Sequence, residues 1–214
     1  MVNSMKEDME NQNFTVILAN GEAPRHAHCL NALRHAAQII CCDGAISKLE
    51  QLGFRPDWII GDLDSIDEES KKRYTDRILP RPSEEICDLH KAINYCKEQG
   101  VKDVIILGAM GLREDHALAN LSLLLTHGRE LSLRILTDYG IFTPIFHTTE
   151  FDSFAGQQVS VFNFGHAKVT FSGLRYSVVQ RAFHYFWEGS LNEALGEHFT
   201  IGFEEGEVLV YQAF

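Results

Sequence analysis

Asp62 and Asp64 stand one residue apart at the end of the segment Pro56-Asp57-Trp58-Ile59-Ile60-Gly61-Asp62-Leu63-Asp64-Ser65. A short apolar run that ends in Gly and then offers two carboxylates reads as a strand delivering acids to a metal. Carboxylate oxygens are hard ligands that suit Mg²⁺, which proteins hold with one or two carboxylates while substrate phosphates complete the octahedron. A nucleotide polyphosphate is the natural third party. Asp-x-Asp alone also describes a solvated acidic turn, so the reading depends on what else the chain places beside the pair.

The elements that must position the pair follow from hydrophobic periodicity. Apolar runs at 14–19, 39–42, 58–60, 104–107 and 131–136 read as strands, and apolar spacings of three and four predict helices over 26–38, 67–75, 86–99 and 115–127. Strands alternating with helices imply crossover units and a Rossmann-like parallel sheet covered on both faces. After Thr137 helical periodicity stops. Short β-branched or aromatic runs at 141–146, 157–164, 168–171, 178–183, 198–203 and 207–212, punctuated by glycines, predict a C-terminal antiparallel β-sandwich. The expected division is an α/β domain over 1–137 and a β-sandwich domain over 138–214.

In an open parallel sheet, ligands bind outside the carboxyl ends of the strands. Asn20-Gly21, Asp43-Gly44, Gly61 to Ser65 and the loop from Gly108 to His116 all fall at such ends. The last of these joins Gly108 and Gly111 to a helix start, where backbone N–H groups favour anions, and to Arg113, whose fork suits phosphate. Taken singly, Asp43, Asp88 and Asp115 suit helix capping or dipole stabilisation as well as chemistry. Arg113 suits a surface pair with Glu114 or Asp115, and His116 suits a packed histidine.

Composition narrows the class. The chain has 214 residues, 45% of them hydrophobic, and a formal net charge of −11, which opposes general binding to nucleic-acid phosphates and would repel free ATP unless cations intervene. No apolar run reaches the length of about 18 residues that a membrane span needs, and residues 1–13 lack the pattern of a signal peptide. The expectation is a cytoplasmic protein with no membrane or nucleic-acid partner. Five cysteines without a C-x-x-C pair suggest neither a disulfide framework nor a zinc site.

Read in order, these segments resemble the thiamine pyrophosphokinase family. The family's Asp-Gly-Gly, P-D-x-I-I-G-D-x-D-S, T-D-L-x-K-A, G-x-x-G-G-R-x-D-H-x-L-A-N, G-L-x-Y/W and S-N motifs are met by Asp43-Gly44-Ala45, residues 56–65, residues 87–92, residues 108–120, Gly173-Leu174-Arg175-Tyr176 and Ser190-Leu191-Asn192. Departures fall at Ala45, Cys87, Leu112 and Leu191. The resemblance implies transfer of the pyrophosphoryl group of ATP to the hydroxyl of thiamine, giving thiamine diphosphate and AMP with Mg²⁺. It implies that Asp62, Asp64 and Asp88 hold the metal and, with Arg113 bracing the phosphates, form the catalytic set. Asn20, Asp43, Gly44, Gly108, Gly111, Arg113 and Asp115 would line the ATP site. Leu174, Tyr176, Ser190 and Asn192 would hold thiamine. It further implies a homodimer with active sites at the subunit interface.

Three rivals share parts of this pattern. An aspartyl-nucleophile phosphatase also follows a strand with Asp-x-Asp, yet the pair here comes after two earlier strands, late for that fold. A nucleotide-sugar glycosyltransferase has no evident use for the Arg113 loop. A non-catalytic sensor would not need Asp62, Asp64, Asp88 and Arg113 together.

Overall fold

The computed structural model describes residues 13–83 and 85–214; the polar N-terminal stretch lies outside the described residues. The chain forms two units, one ending at Asp138 and the other running Tyr139–Phe214. In the first, β1 (Thr15–Leu18), β2 (Gln38–Cys42), β3 (Trp58–Gly61), β4 (Ile78–Pro80), β5 (Asp103–Leu107) and β6 (Ser132–Leu136) form a parallel array in the order β6-β5-β1-β2-β3-β4. β1 is buried along its whole length, and β2, β3 and β5 are buried at all but their first residue. Their unbroken apolar runs reflect burial on both faces, as parallel sheets require.

Strand order reverses between β1 and β5, because the chain first steps outward through β2, β3 and β4 and then returns to β1's other side. That reversal opens a crevice at the carboxyl ends, the usual ligand position in this architecture. Helices α1 (Ala27–His35), α2 (Ile46–Gln51), α3 (Glu68–Arg73), α4 (Asp88–Glu98) and α5 (Glu114–His127) make the connections. α4 buries Leu89, Ala92, Ile93 and Cys96 and packs on β2 and β3, which fixes its N-terminus beside the end of β3. α3 starts where Asp67 accepts from the Ser70 N–H at 2.8 Å, a side-chain cap for an otherwise orphaned donor. The backbone N–H groups of Arg25 and His26, ahead of α1, both donate to the Asp138 carboxylate, at 2.8 and 2.9 Å.

The second unit contains β7 (Gly140–Ile145), β8 (Thr149–Asp152), β9 (Gln158–Asn163), β10 (Lys168–Ser172), β11 (Val178–Ala182), β12 (Gly189–Glu193), β13 (His198–Gly202) and β14 (Val208–Ala213). They pair antiparallel in the orders β12-β9-β14-β7 and β11-β10-β13-β8. Inward residues alternate along the strands, so Val159, Val161, Val169, Phe171, Phe199 and Ile201 join one buried cluster. This is the two-sheet sandwich that period-two patterning predicts.

Differences from the sequence reading are confined to short elements and ends. α2 has six residues and β4 three, ending in Pro80, which suits an edge position. β8 (Thr-Glu-Phe-Asp) and β12 (Gly-Ser-Leu-Asn-Glu) have too little β-branched character to read as strands. α1 ends at His35, short of residue 38, because β2 begins at Gln38. Among the described residues, no helix is long and apolar enough to cross a membrane.

Candidate active site

Three carboxylates converge where β2 and β3 end. Asp43 follows β2; Asp62 and Asp64 follow β3; each offers an oxygen, and these oxygens all lie within 4.8 Å of one another. Leu63 between the pair adopts a left-handed φ of +71°, and Ile66, buried just beyond, anchors the turn. The turn is tied together locally: Ser65 donates its N–H to Asp43 Oδ2 at 3.3 Å and its hydroxyl to Asp64 Oδ1 at 2.8 Å. Asp43 is only 3% exposed, and its Oδ1 has no hydrogen-bond partner among the described residues. Burial pushes the Asp43 carboxyl up to about 7, against the Ser65 N–H that lowers it, and the neighbouring charge of Asp88 adds to the rise. The Asp62 carboxyl is instead held below the ordinary range, first by the Asp64 N–H and then by Lys91. An orphaned buried oxygen between two exposed acids is a donor set that a hard divalent cation satisfies.

Gly61 makes this convergence possible. A Cβ there would lie 2.7 Å from the Asp43 Cβ and 3.2 Å from the Asp88 Cγ. Asp88 therefore comes close on the other flank, at the first turn of α4, but it is already occupied. Lys91 Nζ donates to Asp88 Oδ1 at 2.8 Å and lies 3.6 Å from Asp62 Oδ2. Lys91 is 4% exposed. Burial alone would drive its ammonium toward neutrality, yet the hydrogen bond and charges of Asp88 and Asp62 prevail and its pKa is raised.

Beside the carboxylates lies a cleft of about 580 Å³ lined by Asn20, Gly21, Asp62, Asp88, Lys91 and Arg113, among others. Its rim is made by two loops locked together. Ala19 and Gly21 donate their N–H groups to the carbonyls of Leu107 and Gly108, at 2.8 and 2.7 Å, and Glu22 donates to that of Met110 at 2.9 Å. A Cβ on Gly21 would sit 2.3 Å from the Gly108 carbonyl oxygen, so only Gly permits the approach. Lys48 holds the same rim by donating to Asn20 O, Asn20 Oδ1 and Gly21 O at 2.6–2.8 Å. Asn120 tethers the other loop through its bond to Ala109 O at 2.7 Å. Arg113 is exposed at the mouth, its fork held by Asp115 at 3.1 and 2.6 Å, which pulls the Asp115 carboxyl well below the usual range.

A second cleft, of about 510 Å³, lies within the β unit and is lined by Arg175, Tyr176, Glu188, Ser190, Leu191 and Asn192, among others. Tyr176 is 63% exposed. Asn192 is buried and works on backbone: its Oδ1 accepts from the N–H groups of Tyr176 and Glu193, and its Nδ2 donates to Tyr176 O at 2.9 Å. Ser190 donates its hydroxyl to Trp187 O.

Comparison with known proteins decides the family of the chain. Residues 29–136 match the model of the thiamin pyrophosphokinase catalytic domain, and residues 140–211 that of the thiamin pyrophosphokinase substrate-binding domain. The chain belongs to the thiamin pyrophosphokinase family. It is 25% identical over 203 residues to thiamine pyrophosphokinase 1 of Oryza sativa subsp. japonica, covering 80% of this chain and 76% of that protein. Its fold is similar to those of thiamine pyrophosphokinase from Bacillus subtilis (TM-score 0.80, 18% identity, 94% of this chain and 98% of that one) and thiamin pyrophosphokinase from Candida albicans (TM-score 0.79, 15% identity, 96% and 91%).

For a thiamin pyrophosphokinase, the residues named from sequence are placed as follows. Asp62, Asp88, Asn20, Gly111 and Arg113 line the first cleft; Tyr176, Ser190 and Asn192 line the second. Asp43 joins Asp62 and Asp64 in the cluster, while Asp88 pairs with Lys91. Gly44 packs closely against Asn20 and Ser65, and Gly108 serves the locked loops. Leu174 is buried in the sandwich core and bridges to Ala194. Sequence reasoning passed over Lys91 and Lys48. Lys91 follows Asp88 by three positions, the spacing at which helical side chains meet; Lys48 lies on α2, too short to show periodicity.

Proposed function

We propose that this family member transfers the pyrophosphoryl group of ATP to thiamine, giving thiamine diphosphate and AMP, with Mg²⁺. The observation that carries the reading is the convergence of Asp43, Asp62 and Asp64 beside a cleft at the reversal of strand order. In the reaction the hydroxyl oxygen of thiamine bonds to the β-phosphorus as that phosphorus parts from the oxygen bridging to the α-phosphate. AMP leaves with that oxygen, and the hydroxyl proton passes to solvent.

Asp62, Asp64 and Asp43 would hold the metal, which when bound neutralises triphosphate charge and draws electron density from the attacked phosphorus. Arg113 braces the phosphates, its guanidinium oriented in advance by Asp115. The locked Asn20-Gly21 and Gly108 to Gly111 loops give the nucleotide a rigid wall, so positioning costs little at the moment of reaction. Tyr176 stacks on the cationic ring of thiamine or on its pyrimidine, on backbone that Asn192 holds. The exposed run Tyr185, Phe186 and Trp187 supports a homodimer, since apolar patches of this kind mark interaction surfaces.

The test is incubation of the purified chain with ATP, Mg²⁺ and thiamine, with products separated by chromatography. Equimolar thiamine diphosphate and AMP, lost with EDTA, is the expected result. ADP or inorganic phosphate in their place would overturn the reading.

A further inference from the structure

Four carboxylates, Asp43, Asp62, Asp64 and Asp88, crowd the ends of β2 and β3, and Lys91 is the cation buried among them. We propose that Lys91 is a positioning residue standing in for a second metal ion: its ammonium engages Asp88 and steadies Asp62, leaving one divalent cation its place among Asp43, Asp62 and Asp64. The inference deepens the function proposed above and rests on it for the catalytic arm only.

Geometry carries the argument. Lysine is almost never fully buried unless paired, and here both partners are acids of the site, at 2.8 and 3.6 Å. Lys91 cannot readily withdraw. Its helix is fixed to β2 and β3 by Leu89, Ala92 and Ile93, and its side chain is 3% exposed. A second ion bound through Asp88 would have to displace a buried ammonium and leave it unpaired, which is strongly unfavourable. Among the described residues, Asp43, Asp62 and Asp64 meet no lysine or arginine at ion-pair distance other than Lys91 in its long approach to Asp62, so these three carboxylates are the ones left open to a divalent ion.

The test counts Mn²⁺ bound to the full chain without substrates, by electron paramagnetic resonance of the free ion, alongside turnover with saturating Mg²⁺. Wild type and Lys91→Arg should bind one ion. Lys91→Met should bind a second ion, or the first at least threefold tighter, while turnover falls at least tenfold; mere structural damage would weaken metal binding instead. Two ions on wild type, or unchanged metal binding in Lys91→Met whatever its turnover, would overturn the proposal. Should Lys91→Met fail to fold by circular dichroism, the paired variant Asp88→Asn/Lys91→Met is read. It should bind one ion within threefold of wild type, and a tenfold loss would show that Asp88 is itself a ligand. Wild type that binds one ion yet makes no thiamine diphosphate would refute the function and leave the role of Lys91 standing.

Discussion

In the α/β unit the cleft is lined by ionisable groups matched within the protein, Asp88 by Lys91 and Arg113 by Asp115, and beside it lies Asp43, a buried acid whose Oδ1 has no hydrogen-bond partner among the described residues. In the β unit the cleft is lined by the exposed Tyr176, by backbone that Asn192 has already satisfied, and by Arg175, Arg181 and Glu188, of which Arg175 is paired with Glu193. The first wall concentrates charge, so removing one member changes the field at every other. In the second, Tyr176 offers its ring by contact, so its removal should act nearly alone. The difference should appear in the size and the kind of kinetic effect that substitution produces.

The contrast is sharpest between Asp64→Asn and Tyr176→Ala. Asp64→Asn should lower kcat by about a hundredfold or more at saturating Mg²⁺, on the scale of losing one electrostatic contact to the transition state. Turnover within threefold of wild type would remove Asp64 from the metal set. Tyr176→Ala should raise the thiamine KM about tenfold, near the middle of the cation–π range, and leave the ATP KM within twofold. An unaltered thiamine KM would break the comparison from the other side.

Asp43 gives the charged cleft a pH signature that the aromatic one lacks. Its folded-state pKa of about 7 lies above the ordinary 3.8, so between these values the native protein holds a proton that the unfolded chain has released. That preference stabilises the metal-free protein fully below about pH 4 and is lost as pH rises through 7. Metal-free melts should therefore show a lower Tm at pH 8 than at pH 6, and Asp43→Asn should flatten the difference. Mg²⁺, binding the ionised form, should raise Tm more at pH 8 than at pH 6. Equal Mg²⁺ shifts at both would place the cation away from Asp43.

The two clefts were also unequally legible in sequence. Asp62 and Asp64 announce themselves because their chemistry is local: two acids and a Gly after an apolar run. Asp43 reads as a capping residue until the parallel pairing of β2 with β3 sets it beside them. Lys91 stands in plain view three residues after Asp88, but a sequence does not show that its ammonium is buried. In the β unit the alternation of Val159, Val161, Val169 and Phe171 foretells the sandwich, whereas β12, which carries Ser190 and Asn192, has the composition of a loop. Leu174 entered as a thiamine contact only by resemblance; its apolar side chain went to the core, as burial energetics favour.

The smallest expected effect concerns a feature that the clefts share. Leu112 and Leu191 both hold left-handed backbone, at φ of +61° and +57°, with side chains 68% and 79% exposed. A left-handed conformation costs a non-glycine residue about 1–2 kcal/mol, and neither leucine recovers that by burial. Glycine relieves the strain but gives back about 0.5–1 kcal/mol through the entropy of the unfolded chain. Leu112→Gly should thus stabilise by roughly 0.5–1 kcal/mol, a Tm gain of about 1–4 °C for a chain of this size, with thiamine KM unchanged. Leu191→Gly should gain similarly in Tm yet raise thiamine KM about threefold, because it strips apolar surface from the cleft that Tyr176 lines. A fall in Tm for either variant would mean that its leucine makes contacts worth more than the backbone strain it carries.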